Sequence, residues 1–241
     1  MKLEVIACPP LLQPRHLADR TVVVLDVLRA TTTMIAALSH GATEIRIFES
    51  VEATLAAAGA FEGRKLVHGE RHARPPPGFD LGNSPGDFTR DRCDGRTTFM
   101  TTTNGTGAIL AAAGAPLVLV GAVVNASAVA EQLAHGDRDV TLLCAGQRSD
   151  VAIEDLLGAG AVIDRVRRRT VVDLANDAAT AAAQLYAVNR HDLLHAFMQS
   201  VAVGSELCHG LLDDVKFAAV EDRFNVVGLF DRCCMSIKSA G

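Results

Sequence analysis

The same order of segments occurs twice in this chain, and a third time more weakly: a buried strand, a polar loop, an alanine-rich helix, a Gly-Ala pair and a further apolar run. The first unit spans residues 22–48, the second 98–120 and the third 140–161. Short apolar strands that alternate with helices of three-and-four spacing are typical of α/β proteins. We therefore predict an α/β, three-layer fold in which helices cover a mostly parallel sheet built from repeated strand-loop-helix units.

Each Gly-Ala pair is predicted to end its helix, at Gly41, Gly114 and Gly160, because glycine suits the conformation that closes a helix. Internal duplication and convergence of similar units both explain the repetition, and the sequence leaves the two open. In either case, loops that leave the carboxyl ends of parallel strands gather at one edge of the sheet. We expect the loops at 29–33, 102–106 and 144–155 to lie close together there.

Composition limits the classes of protein to which the chain can belong. With 241 residues, of which 49% are hydrophobic, it can form one domain over residues 1–241, with lobes at about 1–95 and 96–241 as an alternative. Its aliphatic runs are too short for a membrane span, and its first residues lack an export signal, so we expect a cytoplasmic protein. A net charge of −5 and the absence of a basic, aromatic-rich stretch argue against nucleic acid. The expected partner is a small, multiply anionic substrate, and a homodimer stays open.

The cysteines and histidines give weak signals. Six cysteines show neither the spacing of a zinc site nor the density of a disulfide scaffold, so we predict mostly reduced thiols. Cys144 ends a strand, but a cysteine-phosphatase loop would need arginine at the position of Asp150, which leaves a buried thiol and a substrate contact as alternatives. His68 and His72 are four residues apart but flank Gly69 near several prolines, so we expect most of the histidines to lie at the surface.

Two of the predicted helices start with residues suited to an anion. Threonine caps the first amides of a helix, and the positive end of the helix dipole attracts negative charge. Arg29 precedes the first of these helices, and its planar guanidinium matches phosphate, sulfonate or carboxylate. Plain helix capping with a surface arginine is the alternative. The predicted substrate-binding residues of these two loops are Thr31, Thr32, Thr33, Asn104, Gly105 and Thr106.

Carboxylates accompany these loops. Asp26 ends the first apolar strand, while Glu154 and Asp155 stand near the start of the third helix, where plain compensation of the helix dipole is the alternative. A proline-rich stretch between the first two units contributes Glu70 and Asp80 and is predicted to shape a loop over the site. Such oxygen ligands suit a hard cation such as Mg²⁺. The predicted metal ligands are Asp26, Glu70, Asp80, Glu154 and Asp155.

Five motifs, in order, resemble those of the 2-phosphosulfolactate phosphatase family. They are Val24-Leu25-Asp26-Val27-Leu28-Arg29-Ala30-Thr31-Thr32-Thr33, Gly69-Glu70-Arg71, Gly78-Phe79-Asp80-Leu81-Gly82-Asn83-Ser84-Pro85, Thr103-Asn104-Gly105-Thr106 and Cys144-Ala145-Gly146. The resemblance extends through Glu154-Asp155 and, more faintly, to Asp214-Val215-Lys216-Phe217. The sequence departs from the family pattern at His72-Ala73-Arg74-Pro75, where a glycine-rich continuation is expected, and this leaves substrate preference open.

The resemblance implies Mg²⁺-dependent hydrolysis of 2-phospho-3-sulfolactate to 3-sulfolactate and phosphate, a step of coenzyme M biosynthesis. It also implies that Asn83, Ser84 and Cys144 contact the substrate. The candidate catalytic residues are Asp26, Arg29, Glu70, Arg71 and Asp80. Water and a carboxylate stay open as the attacking group. A phosphatase for another small phosphorylated carboxylic acid and a non-enzymatic anion-binding protein are the alternative functions.

Overall fold

The computed structural model of the protein describes residues 1–148, 150–201, 203–204 and 211–240. In that part of the chain the strands are β1 Lys2–Ile6, β2 Arg20–Leu25, β3 Glu44–Ile47, β4 Lys65–Gly69, β5 Thr97–Thr101, β6 Leu117–Gly121, β7 Asp139–Cys144, β8 Asp173–Leu174, β9 Gly228–Asp231 and β10 Ser236–Ser239. The helices are α1 Ala30–Ser39, α2 Val51–Gly59, α3 Arg90–Cys93, α4 Gly105–Ala111, α5 Ala126–Ala134, α6 Ile153–Arg167, α7 Asp177–Asn189, α8 Leu193–Met198 and α9 Leu212–Ala218. None of these helices has the length and apolar character needed to cross a bilayer.

The strands form one sheet in the order β4-β5-β3-β10-β9-β6-β2-β7-β1-β8. Six strand pairings are parallel and three are antiparallel. A hydrophobic core lies on each face of the sheet, one beneath α5, α6 and α7 and the other beneath α1 and α4. The predicted α/β, three-layer fold with a mostly parallel sheet is confirmed, while the domain limits at 1–241, 1–95 and 96–241 stay predictions.

Strand β2 explains why the sequence reads as an uninterrupted apolar run. Val22 and Val24 enter the core beneath α1, whereas Val23 and Leu25 enter the core beneath α6, and all four are completely buried. A strand that is covered on both faces favours apolar side chains at successive positions. After Thr21, the next polar side chain is Asp26, directly beyond the end of the strand.

The sheet consists of two parallel blocks, β4-β5-β3 and β6-β2-β7-β1-β8, joined by the antiparallel hairpin β9–β10. Because three antiparallel pairings separate the blocks, their strands run in opposite directions. The prediction of one shared carboxyl edge is therefore wrong. Helix α1 packs against β3, β9 and β6, so that Ile45 of one block and Val24 of the other lie in the same core. The carboxyl ends of β4 and β5 nevertheless lie close to those of β2 and β7, because Glu70 and Thr102 line the same cavity as Asp26 and Gly146.

The predicted helix ends are correct in two units and wrong in the third. Gly41 and Gly114 follow the ends of α1 and α4. Helix α6, in contrast, continues through Gly160 to Arg167. A Cβ atom on Gly160 would lie 2.3 Å from the carbonyl oxygen of Ala182, so this glycine permits close packing of α6 against α7.

The predictions for the cysteines and histidines can be compared with the structure. The five cysteines in the described ranges are free thiols, and Cys208 lies outside those ranges. His72 is exposed, as expected of most histidines, but His68 is completely buried on β4. Burial lowers the pKa of His68 to about 3, because the charged imidazolium loses its hydration there.

Candidate active site

A cavity of about 370 Å³ lies where the loops after β2, β4, β5 and β7 meet. The three loops predicted to lie close together all contribute to it. Four carboxyl groups and two arginines stand among its polar residues. The cavity is lined by Asp26, Leu28, Arg29, Glu70, His72, Ala73, Asn83, Thr102, Thr103, Asn104, Gly146, Gln147, Arg148, Glu154 and Asp155.

Asp26 is fixed at the end of β2 by the start of α1. Its Oδ1 accepts a hydrogen bond from the Ala30 amide at 3.1 Å, and its backbone amide donates to the Thr31 hydroxyl at 3.0 Å. Burial, the largest cause, and the negative charges of Glu70 and Glu154 together raise the pKa of Asp26 to about 7, against the opposing effects of the Ala30 hydrogen bond and the Arg29 charge. Asp26 can therefore exchange a proton near neutral pH.

Glu154 and Asp155 enter the cavity from the first turn of α6 and are each 2% exposed. Asp155 joins two loops, since its Oδ1 accepts from the Val27 amide at 2.8 Å and its Oδ2 from the Gly146 amide at 2.9 Å. Burial, followed by the charges of Asp26 and Glu154, raises the pKa of Asp155 well above its ordinary value. Burial also raises the pKa of Glu154, whose Oε2 accepts from the Ser200 hydroxyl at 2.6 Å. Helix-dipole compensation alone does not account for acids placed this deeply.

Glu70 lines the cavity from the loop directly after β4. Its Oε1 accepts from the Thr103 amide at 2.6 Å, and its Oε2 accepts from the Ala73 amide at 3.1 Å. His72 and Ala73 form a tight turn with φ values of +55° and +62°. The backbone amides and carbonyls of Arg71 and Arg74 close this turn with two mutual hydrogen bonds. Glu70 thus holds this turn and the loop after β5 in one arrangement.

Arg29 lies at the start of α1 and is 5% exposed. Its Nη1 donates to Oδ2 of Asp214 at 2.6 Å and to the Ser84 hydroxyl at 3.3 Å. Asn83, next to Ser84, lines the cavity and is 4% exposed, and its Oδ1 has no hydrogen-bond partner among the described residues. An unsatisfied buried amide oxygen in a cavity wall is the kind of group that a ligand satisfies.

Several predicted substrate contacts lie behind the cavity wall. The hydroxyls of Thr31, Thr32 and Thr33 donate to the carbonyl oxygens of Asp26, Val27 and Asn83. Thr106 is bonded to Thr102, Gly105 lies against Asp26, and Cys144 is buried at the end of β7. These residues set the shape of the loops, and their contact with a substrate stays a prediction.

Two predicted catalytic residues also lie outside the lining. Arg71 donates from Nη2 to the Glu49 carbonyl at 2.9 Å and to the Thr101 hydroxyl at 3.1 Å. Asp80 accepts from the Val67 amide at 2.8 Å, and it is exposed. The structure therefore brings Asp26, Arg29 and Glu70 together, but not Arg71 or Asp80.

Sequence reasoning missed several residues of the site. Thr102, His72, Gln147 and Arg148 line the cavity but were not assigned as site residues, although Thr102, Gln147 and Arg148 belong to the loops predicted at 102–106 and 144–155. Their positions next to predicted site residues were the available signal. Asp214 is 185 residues from Arg29 in the chain, and no local pattern connects the two. The faint family resemblance around Asp214 was the one hint of its role.

The cavity carboxylates can be tested for their fit to Mg²⁺. Within the described ranges, no three His, Cys, Asp or Glu side chains converge closely enough to surround a metal ion by themselves. Mg²⁺ at phosphate-processing sites is usually held by one or two carboxylates together with substrate oxygens and water. Asp26, Glu70, Glu154 and Asp155 fit that kind of site, since they offer only oxygen donors, whereas Asp80 does not share their cavity.

The fold and the cavity define a class: an α/β protein with an acidic small-ligand cavity where strand-end loops meet. Comparison with known proteins is more specific. The sequence model of the family described as 2-phosphosulpholactate phosphatase matches residues 6–232, and the chain belongs to this family.

Relatives match over nearly their whole length. A probable 2-phosphosulfolactate phosphatase of Clostridium novyi (strain NT) is 32% identical over 231 residues, which cover 95% of this chain and 97% of the relative. Proteins of the same description from Synechocystis sp. and Symbiobacterium thermophilum are 34% identical over 230 residues and 38% identical over 220 residues. These alignments cover 94% and 89% of this chain, and 95% and 93% of the two relatives.

Proposed function

We propose that the protein is a Mg²⁺-dependent phosphatase that hydrolyses 2-phospho-3-sulfolactate to 3-sulfolactate and phosphate. The observation that carries this proposal is the cavity in which Arg29 stands among four carboxyl groups, three of them with a raised pKa. The family description and the names of the relatives support the same activity.

The charges of the cavity favour a bound cation. In their ionised forms the four carboxyl groups outnumber the two arginines, Arg29 and Arg148, and would repel a multiply anionic substrate. A divalent cation held by one or two of the carboxylates removes this repulsion. Bound Mg²⁺ would supply charge neutralisation at the phosphoryl oxygens of the substrate.

The protein's own residues are assigned as follows. The Arg29 guanidinium binds phosphoryl oxygens, because its planar set of donors matches them. Where the cation is held by the other cavity carboxylates, Asp26 exchanges a proton with the reacting oxygens, because a pKa of about 7 suits proton transfer at neutral pH. Oδ2 is the oxygen assigned to this exchange, since Oδ1 accepts the Ala30 amide. Water and a carboxylate stay open as the attacking group, and an acyl-phosphate trapped by rapid quenching would exclude direct attack by water.

The identity of the acid rests mainly on family membership. The proposed substrate carries phosphate, sulfonate and carboxylate on three carbons, and Asn83, Asn104 and Arg148 offer further polar groups around the cavity. His72 and Ala73 stand where a glycine-rich turn is expected, and both line the cavity. This difference favours a second candidate, a phosphatase for another small phosphorylated carboxylic acid. A non-enzymatic anion-binding protein is the third.

Phosphate release separates these candidates. We would assay 2-phospho-3-sulfolactate, phospholactate and phosphoglycerate, each with Mg²⁺ and with a chelator. The proposal expects the fastest turnover with the sulfonated ester and Mg²⁺. Preference for another ester would replace the substrate, an undiminished rate in chelator would remove the metal, and no turnover with any ester would leave only a binding role.

Paired variants test the residue assignment. Asp26→Asn and Arg29→Ala should each lower kcat/KM by about 10²- to 10⁴-fold, the range measured for lost acid–base or electrostatic groups. The controls are Asp87→Asn and Arg92→Ala, which alter a half-exposed surface ion pair outside the cavity lining. Equal activities of the cavity and surface variants would contradict the assignment.

The biological setting of the activity follows from the same proposal. A phosphorylated sulfonic acid is a small water-soluble metabolite, which suits a cytoplasmic enzyme and a step of coenzyme M biosynthesis. A homodimer is proposed from the sequence analysis alone, and light scattering of the purified protein tests it.

A further inference from the structure

Three segments that are far apart in the chain meet at the Arg29 guanidinium. Its Nη1 donates to Oδ2 of Asp214 at 2.6 Å and to Oγ of Ser84 at 3.3 Å. The Ser84 hydroxyl donates to the same Oδ2 at 2.8 Å, so the three polar groups form a closed triangle. The side chains of Arg29 and Asp214 are 3% and 9% exposed, which shields the pair from water and salt.

The hydrogen bonds among Arg29, Ser84 and Asp214 matter because the cavity places this arginine near several carboxylates. An arginine that is to bind an anionic substrate stands in the same cavity wall as Asp26, Glu70 and Glu154, which attract its charge as well. A guanidinium turned toward those carboxylates would occupy oxygens needed elsewhere and would present fewer N–H groups to the substrate. Asp214 is not part of the cavity lining, and its carboxylate accepts the hydrogen bond from Nη1.

Ser84 connects the Arg29 guanidinium to the Asp214 carboxylate with defined hydrogen bonds. Because its hydroxyl accepts from Arg29 and donates to Asp214, it fixes the position of both partners. Ser84 is itself held by the loop in which the Asn83 carbonyl accepts the Thr33 hydroxyl at 2.9 Å. The guanidinium is thus tied to α1, to the proline-rich loop and to α9 together.

We propose that Asp214 is a positioning residue that acts through Arg29, holding the guanidinium at the cavity wall where the phosphoryl group binds. This inference rests on the proposed function, because it assigns the Arg29 side chain to an anionic substrate. It adds helix α9, which follows the predicted site residues by more than 50 positions, to the elements that determine substrate affinity.

A double-mutant cycle tests this role in the full-length protein. Asp214→Ala should raise KM about 10- to 100-fold with a smaller change in kcat, the range seen when a supporting partner of a site residue is lost. In an Arg29→Ala background the same substitution should have no further effect, because residues that act as a unit are not additive. Asp213→Ala is the matched control, since that side chain lies on the same helix, is 93% exposed and pairs with Lys216; its kinetics should match the wild type.

The cycle also distinguishes positioning from a general structural role. Equal losses from Asp214→Ala in the wild-type and Arg29→Ala backgrounds, or a loss confined to kcat, would overturn the proposal. If Asp214→Ala does not fold, as judged by circular dichroism, Asp214→Asn removes the charge while keeping the shape and enters the same cycle. There too, an effect that persists without Arg29 counts against positioning.

Binding of inorganic phosphate, measured by calorimetry, keeps this inference separate from the proposed function. If the wild type hydrolyses none of the esters, the proposed function fails, and the cycle is read from phosphate affinity instead. A weaker affinity in Asp214→Ala that disappears in the Arg29→Ala background would support positioning. Unchanged affinity in Asp214→Ala, or no phosphate binding by the wild type, would refute it.

Discussion

The contact between Gly105 and Asp26 provides the sharpest test of the site geometry. Gly105 begins α4, and a Cβ atom at this position would lie 2.6 Å from Oδ2 of Asp26 and 2.5 Å from Cβ of Ala30. Both distances are shorter than those that real Cβ atoms show, so Gly105→Ala must displace the carboxylate or the helix start. Gly107 lies two residues further along the same helix, and a Cβ atom there would meet nothing within 4 Å.

The magnitudes follow from this difference. Alanine is favoured over glycine within a helix by about 1 kcal/mol, so Gly107→Ala should raise the free energy of unfolding by up to that amount. Gly105→Ala gains no more from helix propensity and loses about 1–3 kcal/mol to overpacking. A displacement of about 1 Å at a reacting group can cost about 10²-fold in rate, which is the loss of kcat/KM expected for Gly105→Ala alone.

Urea unfolding and phosphate release, measured on both variants, provide the test. Adding Ala30→Gly to Gly105→Ala removes the collision with the Ala30 side chain and leaves the collision with Asp26. We expect this double variant to recover stability without recovering activity. Equal activity in Gly105→Ala and Gly107→Ala would refute the arrangement of Asp26 described above.

Three further predictions concern the turn, the buried histidine and the buried thiol. Ala73→Gly should raise the free energy of unfolding by about 0.5–1 kcal/mol, because glycine tolerates a φ of +62°. Ala181→Gly within α7 should instead lower it by about 1 kcal/mol. Urea titration measures both changes, and changes of the same sign would contradict the strain at the turn. His68 has a folded-state pKa of about 3 against an ordinary value of 6.5, so below pH 6.5 the unfolded chain binds a proton that the folded chain does not. Lowering the pH from 6.5 to 4 should therefore reduce the free energy of unfolding of the wild type by about 3 kcal/mol more than that of His68→Leu. Parallel pH slopes of unfolding free energy in these two proteins would refute this assignment. Cys144→Ala should keep kcat/KM within about threefold and lose roughly 1 kcal/mol of stability, because the thiol is buried behind the cavity wall; a large rise in KM would restore its predicted contact with substrate.

The features of the fold that depend on local sequence pattern could be predicted from the sequence. Burial on both faces makes β2 an unbroken apolar run, and the loop that follows it must satisfy helix amides, so the fold class and the loops at Asp26 and Arg29 were predictable. The same patterns could not show that the two blocks of strands run in opposite directions. That arrangement depends on β9 and β10 pairing with strands more than 100 residues earlier, and such pairing leaves no local period.

The site was predictable to a similar degree. Burial of the strand end made Asp26 conspicuous, whereas the hydroxyls of Thr31, Thr32 and Thr33 form hydrogen bonds with backbone that cannot be distinguished from ligand contacts by residue type. The partnership of Arg29 with Asp214 spans 185 positions and required the folded structure. Gly160 is a second example, because the sequence cannot distinguish a glycine that ends a helix from one that allows a neighbouring helix to pack closely.

The antiparallel hairpin β9–β10 has a consequence for the order in which the molecule can assemble. It lies in the middle of the sheet but follows the eight other strands in the chain. During synthesis, both parallel blocks emerge from the ribosome before the two strands that join them. Each block must then expose an unpaired edge strand, β3 or β6, until residues 228–239 arrive. The nascent protein thus passes through a stage with two open sheet edges that the folded protein lacks, which is when chaperones would be most useful to it.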